Sequence, residues 1–251
     1  LHNTARVHVR PLVTVITATT GSGYLGQCLS SVAAQTYSNL QHLLVIDGPQ
    51  YRDPAHSVIA KADRKLIDIL ELPYNTGADR YNGHRIYGAA TYLAKGDILC
   101  FLDEDNFLDA EHVSSLVTTL GSVNGWAFSL RKIVDHDDRF ICNDDCESLG
   151  LWDSCLNDRL VDVGCYFLPK PLALSLSPVW YRKAREPGLA EVDRALTNIL
   201  LENQIPCETS GLYTLNYRAG NTERSVQKEF FLRGNQTMEE RYPSGFPWRR
   251  I

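Results

Sequence analysis

The chain has 251 residues, enough for one large α/β domain and marginal for two. Apolar residues make up 44% of it, so it can bury a sizeable core, which argues against broad disorder. The net charge of −5 argues against a nucleic-acid partner, which needs a basic face, while leaving room for a locally basic pocket that takes an anionic ligand.

Val13 to Thr17 is a β-branched apolar run and predicts a buried strand. Tyr24 to Gln35 has helical spacing, with Leu25, Leu29, Val32 and Ala33 on one face. Leu43 to Ile46 is a second strand, ending at Asp47-Gly48-Pro49, and Leu66 to Leu72 is a third. Arg85 to Ala94 reads as a helix stopped by Lys95-Gly96. Ile98 to Leu102 is a fourth strand with Asp103 at its C-terminal end. Asp109 can cap a helix running to about Leu120, with His112 in its first turn. This alternation predicts a Rossmann-like, mostly parallel central sheet flanked by helices. Ligands of such sheets bind beyond the carboxyl ends of the strands, which is where the loops Thr17–Gly26, Asp47–Gln50 and Asp103–Asn106 fall.

The second half is less regular. Trp126 to Val134 and Phe140 to Cys142 can form a hairpin around Asp135-His136-Asp137-Asp138. Val161 to Leu168 reads as a strand, and Leu189 to Glu202 as a helix with Leu196, Ile199 and Leu200 inward. Leu212 to Tyr217 reads as a late strand, and the tail Arg241 to Ile251 as loop. Neither a repeat nor a linker divides the chain, so 1–251 is expected to be a single domain.

Seven cysteines without a short CxxC read as reduced, mostly buried thiols of a cytosolic chain. A zinc site would need Cys142 and Cys146 to recruit Cys155 and Cys165. No apolar run approaches the ~20 residues that span a bilayer, and the polar start is no signal peptide. The absence of an initial Met suggests a trimmed or excised fragment. The expectation is a cytoplasmic protein, free or peripheral at a membrane. In that setting the sequon Asn235-Gln236-Thr237 is a chance match.

Asp103-Glu104-Asp105 is the leading candidate site. Three adjacent carboxylates repel one another and resist burial. A hard divalent cation, Mn2+ or Mg2+, removes that penalty. Residues i and i+2 of a loop can point the same way, so Asp103 and Asp105 can share one ion. The rival reading is a solvated acidic turn. Gly21-Ser22-Gly23-Tyr24-Leu25-Gly26 also matches the dinucleotide fingerprint G-x-G-x-x-G, with Asp47 21 residues on as its ribose-binding acid. That pattern supports an NAD-dependent oxidoreductase as an alternative. It ranks second because Ala18-Thr19-Thr20 separate the strand from the first glycine, and because it leaves the acidic cluster without a job.

Several blocks carry a resemblance. These are Pro11 to Thr20, Gln35-Thr36-Tyr37, Val45-Ile46-Asp47-Gly48, and Ala94-Lys95-Gly96-Asp97 through Asp103-Glu104-Asp105-Asn106. In order and spacing they resemble the opening of family 2 glycosyltransferases with the GT-A fold, over about residues 11–120. The family's Pro-Thr-Tyr-Asn after the first strand is here Ala18-Thr19-Thr20-Gly21, a departure at the base-stacking position. The resemblance implies a donor half over about 11–120 and an acceptor half over about 121–251.

The resemblance also implies roles. Thr19, Thr20 and Asp47 would line the base and ribose pocket. Arg85, or alternatively Arg80, would lie near the nucleotide, against the plainer reading of a surface cation. Asp103 would bridge ribose and metal, Asp105 would bind the metal directly, and Glu104 would add charge beside the nucleotide. Many members of the fold use a late His as a further ligand. No His follows His136 here, so the metal would rest on Asp105, phosphates and water. Val161-Asp162-Val163-Gly164-Cys165-Tyr166-Phe167 resembles the strand entering the acceptor region. Glu191-Val192-Asp193-Arg194-Ala195-Leu196 resembles the Glu-Asp-x-x-Leu element that holds the general base. Register makes Asp193 that base and Glu191 the fallback. An acid there also suits the first turn of a helix. Tyr217-Arg218 resembles a further family element with no role attached.

Trp126, Trp152 and Trp180 could stack on a sugar, but packing is the plainer reading for each. The reading is an inverting, metal-dependent transfer from a nucleotide-diphosphate sugar, with UDP favoured because the family mostly uses it. The acceptor, a glycan, lipid-linked or protein hydroxyl, is not named by the sequence. A catalytically silent GT-A module that binds a sugar or a partner is the remaining alternative.

Overall fold

The structure, a computed structural model, describes residues 10–182, 191–221 and 225–250. The first half alternates strand and helix as the apolar runs require. Its strands are β1 (Val13–Thr19), β2 (Leu40–Ile46), β3 (Ile67–Glu71) and β4 (Ile98–Phe101). Its helices are α1 (Leu25–Ala33), α2 (Arg52–Ile59) and α3 (His84–Leu93). All pairs among these four strands are parallel, in the order β3-β2-β1-β4.

Alternation along β2 shows how the sheet is covered. Leu44 and Ile46 pack with Leu25, Leu29, Ala55 and Ile59 of α1 and α2. Leu43 and Val45 belong to the larger core that holds Ile86, Tyr87 and Ala90 of α3. Successive side chains of a strand point to opposite faces, so the helices lie on both sides of the sheet.

The sheet continues through β5 (Phe107–Leu108), β6 (Trp126–Val134), β7 (Phe140–Asn143), β8 (Tyr166–Pro169) and β9 (Cys207–Arg218). Its full order is β3-β2-β1-β4-β8-β6-β9-β5, with β7 paired to β6. Pairing is mixed here: β8 is antiparallel to β4 and β6, whereas β6 and β9 run parallel. Helices α4 (His112–Leu120), α5 (Lys170–Leu176), α6 (Glu191–Glu202) and α7 (Lys228–Arg241) complete the described α-helices.

Several sequence expectations change in detail. Asp109 does not cap α4, whose N-cap is Glu111. The Asp109 carboxylate instead binds Lys132 and Asn216, tying α4 to β6 and β9. Only the end of Val161–Leu168 is strand, because Val163–Cys165 makes a 3-10 turn capped by Asp162. The late strand starts five residues earlier than the apolar run suggests, at Cys207. Helix α7 precedes the tail, burying Phe231, Gly234 and Met238 at helical spacing. None of the described helices is long and apolar enough to cross a membrane.

Candidate active site at the carboxyl ends of the parallel strands

Register sets the site. Thr19 pairs with Ile46 and Ile16 with Phe101, so the ends of β1, β2 and β4 reach one edge together. Thr19, Thr20, Asp47 and the acidic loop at 103–106 therefore share that edge, as the alternation predicts.

Glu104 turns away from its acidic neighbours. Its carboxylate accepts the hydroxyls of Thr19 and Thr20, both at 2.6 Å, and the backbone N–H groups of Thr20 and Ser22 at 2.9 and 3.1 Å. The acidic loop is thereby stitched to the loop after β1. The same bonds account for the glycine pattern. In a dinucleotide site these loop amides would face a pyrophosphate, but here two of them already hold a carboxylate. Gly21, at φ +73°, packs against Pro54 and Ala55, and nothing approaches the position a Gly23 side chain would occupy. The geometry thus removes the support for the oxidoreductase alternative.

Asp47, buried at the end of β2, receives the Thr76 N–H (2.6 Å), the Thr76 hydroxyl (2.8 Å) and the Gly77 N–H (2.9 Å). A Cβ on Gly77 would sit 2.8 Å from the Asp47 carboxylate and 2.4 Å from the Asn82 carbonyl, so only glycine lets this loop close. Arg85, in the first turn of α3, reaches the same loop through the Thr76 carbonyl at 3.4 Å. Its guanidinium lies 3.2 Å from the Tyr81 ring centroid and 4.8 Å from that of Tyr181. Arg85 Nε is buried and has no partner. Arg80 is exposed, in a left-handed backbone conformation on the same loop.

Asp103 accepts the hydroxyl of the fully buried Tyr87 at 2.5 Å. Desolvation, then the charge of Asp105, push its carboxyl up to about 7. Asp105 is also raised, chiefly by desolvation. Its carboxylate accepts the Asn221 amide, and its backbone carbonyl accepts Arg218 Nε at 2.9 Å. Arg218 is wholly buried at the end of β9, stacked on Tyr24 and bonded to Gln27, Asp135 and Asp138. It therefore pins the acidic loop from behind.

Asp193 lies in the first turn of α6. It is 8% exposed, and its Oδ1 is buried without a partner. Desolvation raises its carboxyl well above the usual range, and the charges of Asp162 and Asp103 add to this. Those charges place the end of α6 within electrostatic reach of the acidic loop. The Glu191 side chain lies outside the described residues.

Two carboxylates, Asp103 and Asp105, thus stand in an electronegative, desolvated setting where an oxygen-preferring cation fits. Among the described residues, no three His, Cys, Asp or Glu side chains form a metal-binding group, and the cysteines are free thiols. A second carboxylate cluster was missed by the sequence reading. Arg131, buried in the middle of β6, binds Asp144 and Glu147 at 2.7 and 2.6 Å, and also Asp162. The signal was a charge inside an otherwise apolar run. Trp126 and Trp180 are fully buried, and Trp152 packs on Trp248. His136 is an exposed side chain beside Asp137.

Solved structures share this arrangement of the sheet. S. aureus TarS, residues 1–349, in complex with UDP-GlcNAc superposes with a TM-score of 0.58 at 16% identity, covering 84% of this chain and 60% of that one. The mannosyltransferase PcManGT from Pyrobaculum calidifontis, in complex with GDP-Man and Mn2+, gives a TM-score of 0.59 at 11% identity, covering 86% and 59%. At such identities the likeness is one of fold, the GT-A fold, and this chain spans about 60% of the length of either structure. No curated protein matches the sequence. The family model described as Glycosyl transferase family 2 matches residues 14–139, from the first strand through the acidic loop to the hairpin turn. That match takes in half of the chain and the ends of β1, β2 and β4, and the chain belongs to glycosyl transferase family 2.

Proposed function

We propose that the protein transfers a sugar from a nucleotide-diphosphate sugar, with UDP the favoured carrier, to an acceptor hydroxyl with inversion. The observation that carries this reading is Asp193: a buried carboxylate with an unpartnered oxygen, within electrostatic reach of the acidic loop. A raised proton affinity suits a general base working near neutral pH. Asp193 accepts the proton of the acceptor hydroxyl while that oxygen attacks the anomeric carbon. The bond from that carbon to the phosphate oxygen breaks on the opposite face.

Thr19, Thr20, Asp47, Arg85 and Arg80 line the nucleotide end, with Glu104 holding the threonine loop in place. Asp47 presents the Thr76–Gly77 turn rather than a bare carboxylate. Asp105 and Asp103 are the residues that would hold a divalent metal, Mn2+ or Mg2+. When bound, it supplies charge neutralisation for the leaving diphosphate.

The test is a panel of UDP- and GDP-sugars, with and without Mn2+, followed by release of the nucleoside diphosphate. Asp193→Asn should abolish turnover while leaving nucleotide binding unchanged in calorimetry. Substantial turnover in that variant would end the assignment of the base. Activity that survives exhaustive chelation would end the assignment of the metal. A protein that binds nucleotide but turns over no donor would be the silent module.

A further inference from the structure

The first turn of α6 is bolted to the segment beside it by a junction of four hydrogen-bonding groups. Thr197 and Tyr166 are both fully buried. Thr197 Oγ1 lies 2.6 Å from the Tyr166 hydroxyl, 2.9 Å from the Val161 N–H and 3.0 Å from the Asp193 carbonyl. The Tyr166 hydroxyl is itself 3.2 Å from that carbonyl. Val161 N–H donates to Thr197 Oγ1, Thr197 O–H donates to the Asp193 carbonyl, and the single Tyr166 proton is shared between Thr197 Oγ1 and that same carbonyl. The threonine oxygen is then fully used.

A threonine bonded to the carbonyl four residues back is ordinary in helices and would mean little alone. Here the same hydroxyl also receives a backbone amide and a tyrosine from outside the helix. The far side of the junction is rigid as well. Asp162 accepts the Gly164 N–H at 2.9 Å and is ion-paired with buried Arg131. The Tyr166 ring packs on Trp126 with centroids 5.6 Å apart. By contrast, Asp193 Oδ1 has no partner to fix it. Its direction is therefore set through its own backbone.

Building on the reading of Asp193 as the base, we propose that Tyr166 and Thr197 are positioning residues, whose hydroxyls hold the Asp193 backbone so that its carboxylate meets the acceptor oxygen. They touch no substrate; they act through Asp193. A misplacement of about 1 Å at a reacting group can cost about 10²-fold in rate, whereas donor binding at the strand ends does not involve this junction.

The test uses the full chain with Tyr166→Phe, Thr197→Val and Thr197→Ser, assayed for nucleoside diphosphate release from UDP-GlcNAc and GDP-mannose with Mn2+. Hydrogen exchange is followed in parallel at the amides of residues 192–197. Tyr166→Phe and Thr197→Val should lower kcat by about 10–100-fold with donor KM within about twofold, and should speed exchange in the first turn of α6. Thr197→Ser keeps the hydroxyl and should restore most of the turnover. A purely structural role would lower the melting temperature in all three variants without splitting kcat from KM. Unchanged kcat, or unchanged exchange at residues 192–197, overturns the proposal. Should Asp193→Asn retain turnover, the base assignment fails, while the exchange result still decides whether the junction holds the helix.

Discussion

Glu104 carries the same charge as its two neighbours but faces the other way. It accepts two hydroxyls and two backbone amides from the loop after β1, while Asp103 and Asp105 accept Tyr87 and Asn221. In the sequence it reads as surplus charge; in the structure it is the tie between two strand ends. Hydrogen bonds to a charged group contribute about 1.5–3 kcal/mol each when buried, and less when partly exposed as here. Glu104→Ala should therefore cost about 2 kcal/mol in urea unfolding, and should raise donor KM more than it lowers kcat, because the loosened loop carries Thr19 and Thr20. Glu104→Gln keeps the shape but replaces one acceptor oxygen with a donor, so it should fall between Ala and the native residue. If donor KM in Glu104→Ala equals that of the native protein, the loop does not serve the nucleotide. Tyr87 has a narrower task, donating its hydroxyl to Asp103 from within an aromatic group of Phe101 and Trp180.

Strand β6 shows how neighbouring charges on one element differ in consequence. Arg131 is buried among three carboxylates, whereas Lys132 sits partly exposed against Asp109. Removing one side of a buried ion pair costs about 3–5 kcal/mol, because it strands the charges left behind. Arg131→Met should thus cost at least that, or prevent folding, while Lys132→Met should cost no more than about 1 kcal/mol. Equal costs in urea unfolding would show that the cluster is not what secures β6.

The same strand marks where the sequence stops being legible. The parallel half was readable because β1, β2 and β4 are short apolar runs and because their carboxyl ends carry the polar loops. The hairpin of β6 and β7 was readable for a similar reason, its charged turn. The partners of β6 were not, since β8 and β9 come from about 40 and 80 residues further on and no local pattern encodes such pairing. Helix α7 was hidden by its polarity, burying only Phe231, Gly234 and Met238. In the site, Asp103 and Asp105 stood out as near-adjacent acids at the end of an apolar run, and Asp193 only through the family resemblance. Arg218 was marked by resemblance without a role, and Asn221 not at all, because their contact with the acidic loop spans more than a hundred residues.

Across the whole molecule, buried titratable groups oppose one another as pH falls. His42, His84 and His112 are held down to about 4 by burial. Between about 4 and 6.5 the unfolded chain binds protons that these native imidazoles refuse, so each one lowers stability as the solution is acidified. Asp103 and Asp193 act in the opposite sense. Their native carboxyls hold protons that the unfolded chain releases, so their unfavourable contribution fades on acidification. The native protein should therefore lose little stability between pH 6.5 and 5. The histidine share can be isolated with substitutions that keep the existing hydrogen bonds. His42 uses Nε2 toward Thr17 at 3.0 Å, which Gln can imitate, and His112 uses Nδ1 toward Thr214 at 2.8 Å, which Asn can imitate. Each replacement removes about 1.4 kcal/mol per pH unit from the acid-side slope of stability. The double variant His42→Gln/His112→Asn should accordingly gain stability relative to the native protein as pH is lowered from 6.5 to 4.5 in urea titrations. Parallel stability curves for the two proteins would mean that these imidazoles are protonated in the folded state, contrary to their burial.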